Sequence, residues 1–271
     1  MSNNESRFLK ACFQEDVDRT PVWFMRQAGR YLSEYRRLRR RYTLLDICMN
    51  PELAKEVTLQ PLRRFNLDAA IVFADILLPL KSLGISLDFV EGKGPVIQNP
   101  IRVPQMVYEL RLGNPEQDLS FVYETLRLVR NELDPKIALI GFAGAPFTVS
   151  SYIIEGGASR NYIHTKRLML NHPEAWHRLM RNVTEVTQKY VKAQVEAGAQ
   201  AIQIFDSWVG CLNAKDYREY AQPYSKQIFD SLEEYAIPTI HFGTGTTSLL
   251  ELMKYKCALI VKEVMFLLTN Y

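Results

Sequence analysis

Cysteine is scarce and scattered, with Cys12, Cys48, Cys211 and Cys257 the only four in 271 residues. No C-x-x-C or H-x-C pair occurs, so the spacing of a structural zinc site or a disulfide framework is missing, and a reducing, cytoplasmic setting is expected. A surplus of one charge is also lacking: 33 Lys and Arg against 30 Asp and Glu leave +3, too little to argue for a nucleic-acid partner. No apolar run reaches the ~18 residues of a membrane span. The nearest, Ala258 to Leu268, is interrupted by Lys262 and Glu263. Met1 to Ser6 is polar, without the apolar stretch of a secretory signal. No G-x-G-x-x-G follows a predicted strand, so the usual dinucleotide fingerprint is absent.

What is present is alternation. Short apolar runs predict strands at Val22–Met25, Asp68–Phe73, Ile137–Ile140, Ala201–Phe205 and Thr239–His241. Helical periodicity predicts helices over Pro51–Phe65, Glu116–Leu133, Asn161–Leu170, Glu174–Ala197 and Ala214–Tyr235, with Asn50 and Pro51 suited to starting the first and Gly198 to ending the fourth. Asp88–Val96, rich in glycine, predicts a hairpin. Regular strand–helix alternation implies a parallel α/β sheet with right-handed crossovers. Both an open doubly wound sheet and a TIM (β/α)8-type barrel satisfy it. Polar residues at the ends of several strands favour the barrel, as a single domain over 1–271.

Several residues offer chemistry. Arg26 and Arg30 bracket Gln27-Ala28-Gly29 directly after an apolar run. Two guanidiniums beside small residues suit an anion receptor, although a solvated loop has the same composition. Arg36, Arg37, Arg39, Arg40 and Arg41 read either as an exposed helix face or as a positive rim for a polyanion. Asp75 follows a buried strand among apolar neighbours, where an unpaired carboxylate is costly; it is either capped or salt-bridged, or kept for a ligand. Ser207 at a strand end reads on its own as a helix cap. His164, His172 and His177 lack ligand spacing and read as structural, while His241 lies at a strand end, either in a cleft or in a plain connector.

The strings Pro21-Val-Trp-Phe-Met-Arg-Gln-Ala-Gly-Arg-Tyr31, Phe73-Ala-Asp-Ile-Leu77, Gly141 to Gly157 and Gln203-Ile-Phe-Asp-Ser207 together resemble the uroporphyrinogen decarboxylase family of haem biosynthesis. The resemblance implies cofactor-free conversion of uroporphyrinogen III to coproporphyrinogen III, with acetate side chains losing CO₂ to become methyl groups. It implies that Asp75 accepts the pyrrole N–H groups and stabilises positive charge. Arg26 and Arg30 would hold substrate carboxylates, with Arg26 also a candidate proton donor. Gln27, Ala28 and Gly29 would supply donors to the same groups, Tyr152 a hydrogen bond in the cleft, and Ser207 a carboxylate contact. It also implies a homodimer.

The resemblance runs from Phe8 to Tyr255 and then breaks. The family continues with further βα units and a substrate-contacting histidine; here the tail from Lys256 to Tyr271 diverges, as in a truncated or frameshifted frame, with Cys257–Val261 as a possible sixth strand. The expectation is an incomplete barrel lacking its last strands, with low stability and weak activity. Two alternatives remain: a non-catalytic porphyrinogen-binding fragment, and a zinc-dependent corrinoid or thiol methyltransferase of the same superfamily. The second would need a His-x-Cys pair, and His241 is followed by Phe242 and Gly243.

Overall fold

The structure is a computed structural model describing residues 5–90, 92–255 and 258–261. Among the described residues seven strands form: β1 (Ala69–Ile71), β2 (Leu87–Val90), β3 (Gly94–Ile97), β4 (Ala138–Gly144), β5 (Ala201–Asp206), β6 (Thr239–Gly243) and β7 (Ala258–Val261). Five form one parallel sheet in the order β1-β4-β5-β6-β7, and β2 pairs antiparallel with β3 as the expected hairpin. Five consecutive parallel strands with helices between them are an incomplete TIM-type barrel. Cys257, at the start of the expected sixth strand, lies outside the described residues, and the strand runs over Ala258–Val261 beside β6.

The helices cover the sheet as their apolar spacing requires. The helix Pro51–Arg64 begins with Asn50 Oδ1 accepting the N–H groups of Glu52 and Leu53 at 3.1 and 3.2 Å, and Pro51 occupies its first turn. The helix Pro173–Glu196 buries Trp176, Leu179, Met180, Val183, Val186, Tyr190 and Val191 along one stripe. Large apolar side chains buried in this way stabilise the fold by roughly 1.5–3 kcal/mol each. Gly198 follows at φ +112°, a conformation that favours glycine. Near its end this helix is fastened to the sheet: Gln194 Nε2 donates to the Phe142 carbonyl and Gln194 Oε1 accepts the Phe142 N–H, both at 2.9 Å.

Three expectations need correction. Val22–Met25 is extended but belongs to no sheet among the described residues. Only the Val22 carbonyl joins β1's neighbourhood, accepting the Asp68 N–H at 2.8 Å. The Val22 and Phe24 N–H groups donate to side chains, Asp68 Oδ2 and Gln27 Oε1, so no ladder forms. The helix expected over Ala214–Tyr235 is broken into Ala214–Tyr220 and Gln222–Asp230, followed by a short turn at Glu233–Tyr235. Ala221 leaves helical geometry at φ −127°, and Pro223, which has no N–H to donate, stands in the first turn of the second piece. Finally, the strand expected over Ile137–Ile140 runs on to Gly144, because the parallel register with β5 extends to Gly144↔Phe205.

Candidate active site

All five barrel strands point the same way, so the segments after β1, β4, β5 and β6 gather at their C-terminal ends. Asp75 stands there just past β1, half-buried, with Oδ1 accepting the Leu77 N–H at 2.9 Å. Burial is the main influence on its carboxyl and raises its pKa to about 6, against the opposing pull of the Leu77 N–H and the Arg26 charge. Tyr152, on the helix Pro146–Glu155 that follows β4, has its phenol pushed up to about 12, chiefly by burial, with the Asp75 carboxylate adding and Arg26 opposing. Arg26, Asp75 and Tyr152 therefore share one electrostatic neighbourhood although they are distant in sequence.

The turn carrying the two arginines is built from its own backbone. Gln27 is 2 % exposed; its Nε2 donates to the Ala69 carbonyl at 3.1 Å and its Oε1 accepts from Phe24 N–H. The amide thus fastens the turn to β1. The Tyr31 hydroxyl donates to the Gln27 carbonyl, and Arg36 donates to the carbonyls of Arg30 and Tyr31. Ala28 packs against Leu32, Tyr35, Ile47 and Val57, and the Gly29 carbonyl accepts the Leu32 N–H. Arg26 and Arg30 are left exposed, and neither forms an ion pair among the described residues. Guanidiniums held on a braced turn without a carboxylate partner are available to an anionic ligand.

Ser207 follows β5, where its carbonyl accepts the Thr244 hydroxyl. The next residue, Trp208, stacks on Tyr152 at 3.7 Å between centroids and receives Tyr162 edge-on at 5.3 Å. The region after β5 therefore joins Tyr152 through an aromatic contact. His241 does not join them. It is fully buried between Phe229 and Tyr255, on the side of β6 covered by the helix Gln222–Asp230. His177 is structural, bonded through Nδ1 to the Tyr224 hydroxyl at 2.6 Å.

Sequence reasoning did not single out three features. Phe142, Phe205 and Phe242 on β4, β5 and β6 touch edge-to-face at 5.4 and 5.6 Å. A Cβ at Gly141 would meet Gln194 of the covering helix at 2.6 Å, so Gly141 faces outward and Phe142, its neighbour, faces the concave side. The three rings thus form an apolar row on that side. Gln203 lies on the same side, with Nε2 3.1 Å from Met25 Sδ. The third is Asp206, fully buried at the end of β5. Its signal was available, since an acidic residue ending an apolar strand is also the pattern around Asp75.

Residues 3–262 match the family model described as Uroporphyrinogen decarboxylase (URO-D). The uroporphyrinogen decarboxylase of Carboxydothermus hydrogenoformans is 54% identical over 246 residues, 91% of this chain and 70% of that protein. That of Sorangium cellulosum is 57% identical over 245 residues, 90% of this chain and 70% of that protein. That of Thermus thermophilus is 52% identical over 246 residues, 91% of this chain and 72% of that protein. Among solved structures, a methyltransferase from Methanosarcina mazei aligns with a TM-score of 0.67 at 19% identity, covering 91% of this chain and 72% of that one. At that identity the likeness concerns the fold alone.

Proposed function

The chain belongs to the uroporphyrinogen decarboxylase family, and from that membership we propose that it removes the acetate carboxyls of uroporphyrinogen III as CO₂ to give coproporphyrinogen III. The observation that supports this most directly is Asp75: a half-buried carboxylate at the C-terminal end of the barrel, in the field of Arg26 and Tyr152. Loss of CO₂ from a pyrrole acetate needs an electron sink. Protonating the adjacent ring carbon makes one within the substrate; the C–CO₂ bond then breaks toward the ring, a second proton completes the methyl group, and the ring carbon releases the first proton to restore the neutral pyrrole.

Asp75 is the anion that faces the pyrrole N–H donors and the cation formed by ring protonation. Those donors favour its ionised form, so binding restores the charge that burial disfavours. Arg26 and Arg30 hold the peripheral carboxylates, and the backbone of Ala28 and Gly29 adds donors. Gln27 works from behind, by fixing the turn to β1. Tyr152 and Ser207 contact the substrate from the β4 and β5 sides, and the row Phe142, Phe205 and Phe242 seats the apolar macrocycle. The enzyme acts as a cytoplasmic homodimer, a state that sedimentation velocity measures directly.

The test is anaerobic incubation with uroporphyrinogen III, followed by oxidation and chromatography of the porphyrins. Stepwise appearance of seven-, six-, five- and four-carboxyl products is expected. Recovery of unchanged eight-carboxyl porphyrin at stoichiometric enzyme would overturn the assignment, and binding without turnover would leave a porphyrinogen-binding protein.

A further inference from the structure

Thr148 and Tyr152 are one turn apart on the helix Pro146–Glu155, so they share a face. Both grip the same residue. Thr148 Oγ1 accepts the Trp208 N–H at 3.2 Å, and the Tyr152 ring stacks on the Trp208 indole at 3.7 Å. The Thr148 hydroxyl has a single proton, and it donates that proton to Asp206 Oδ1 at 2.9 Å. Thr148 and Asp206 are both fully buried.

Asp206 is expensive where it stands. Its second oxygen, Oδ2, is buried and faces His241 Nε2 at 3.6 Å, and neither atom has a hydrogen bond among the described residues. A buried carboxylate that spends one oxygen on a threonine and leaves the other short of a partner calls for a reason. The surrounding contacts supply one. Ser207 lies between Asp206 and Trp208, and its carbonyl is held by the Thr244 hydroxyl. The three-residue turn is therefore fixed at its start by Thr148 on Asp206, in its middle by Thr244, and at its end by Thr148 on the Trp208 N–H. Tyr162 also meets the indole edge-on at 5.3 Å, from a backbone at φ +52° that a tyrosine rarely adopts.

We propose that Trp208 is a positioning residue: Thr148 and Asp206 lock its backbone, and its ring fixes Tyr152 at the Asp75 end of the cleft. This rests on Tyr152 and Asp75 being site residues, as read above. The lock acts through orientation, so it belongs to the turnover step more than to the arginine grip on peripheral carboxylates. Misplacing a group by a fraction of an ångström is enough to slow a reaction by an order of magnitude or more.

Three variants test it with two readouts. Near-ultraviolet circular dichroism reports the stacked Tyr152–Trp208 pair without substrate, and Trp208→Leu defines the band by its loss. Thr148→Val keeps the shape and removes the hydroxyl. It is expected to lose at least about half of that band and to lower kcat about tenfold with KM within about threefold. Thr148→Ser keeps the hydroxyl and should return both readouts to within about threefold of the parent. An unchanged band in Thr148→Val, a lost band with intact kcat, or failure of serine to rescue would overturn the proposal. Should the valine variant not fold, Trp208→Leu decides: its side chain is half-buried, and it should lower kcat with KM and melting temperature held. A rise in KM matching the fall in kcat would refute the lock. If the parent turns over no porphyrinogen, the decarboxylase reading fails, while the dichroism of the Thr148 variants still decides whether the lock exists.

Discussion

Burial lifts the Asp75 carboxyl to about 6 from 3.8, so between those values the folded chain holds a proton that the unfolded chain has released. The sign follows from linkage: stability contributed by this group is present below about pH 4 and is lost as pH rises through about 6. At neutral pH the ionised carboxylate costs roughly 3 kcal/mol relative to an unperturbed one. Asp75→Asn imitates the protonated form in nearly the same volume. It should melt above the parent at pH 7, with the difference vanishing below about pH 4, while decarboxylation falls by about a hundredfold or more. A melting temperature equal to or below the parent's at pH 7 would show that the carboxylate is not strained. Turnover should show the same titration from the other side, with kcat/KM of the parent declining as acid protonates Asp75 near pH 6.

The strand ends place Asp75, Tyr152 and Ser207, and these ends were largely readable in the sequence. Asp68–Phe73, Ile137–Ile140, Ala201–Phe205 and Thr239–His241 are short apolar runs that recur as β1, β4, β5 and β6. Val22–Met25 has the same composition, yet its N–H groups go to Asp68 and Gln27 side chains, a choice made by residues far away or by a turn that no local pattern encodes. The split at Ala221 was signalled by Pro223 and overridden by the periodicity around it. Asp75 was legible because a charge after an apolar run is conspicuous. Phe142, Phe205 and Phe242 were not, because which face of a buried strand is concave depends on the covering helices. Loop-to-loop contact is equally hidden. Gly210 lies so close to the segment after β6 that a Cβ would stand 2.1 Å from the Thr244 carbonyl oxygen and 2.8 Å from Gly245 C. Both are backbone atoms and neither can swing aside. Gly210→Ala should therefore push apart the segments that carry Ser207 and Thr244, costing roughly 1–3 kcal/mol or more and reducing turnover with it. Parent-like melting and activity would show that the two loops yield to each other freely.

Across the whole molecule, the two ends of the barrel answer acid in opposite directions. At the N-terminal end of β1, Asp68 is buried with Arg7 at 2.5 Å, Arg19 at 2.8 and 3.1 Å, and the Val22 N–H at 2.7 Å. Burial pushes this carboxyl upward, but the Val22 N–H, Arg7 and Arg19 outweigh it and hold it below its ordinary value. The cluster ties the helix Arg7–Cys12 and the extended Val22 segment to the start of the sheet. Its contribution is present above the unfolded value of 3.8 and is lost as pH falls through the lower folded value. Asp68→Ala takes this acceptor from Arg19 and the Val22 N–H, while Arg7 keeps Asp18; the change should cost about 1–3 kcal/mol, or roughly 5 °C in melting temperature for a chain of this size. Asp68→Asn keeps one acceptor oxygen and should cost less. The decisive measurement is thermal melting of the parent, Asp68→Asn and Asp75→Asn from pH 7 to pH 3. Asp68→Asn should melt below the parent at neutral pH and converge with it below about pH 4, whereas Asp75→Asn should melt above the parent at neutral pH and converge from the other side. Parallel curves for either variant would mean that its carboxylate does not titrate with folding. Opposite convergence would separate an end built for stability from an end where stability is given up for a charge that the reaction needs.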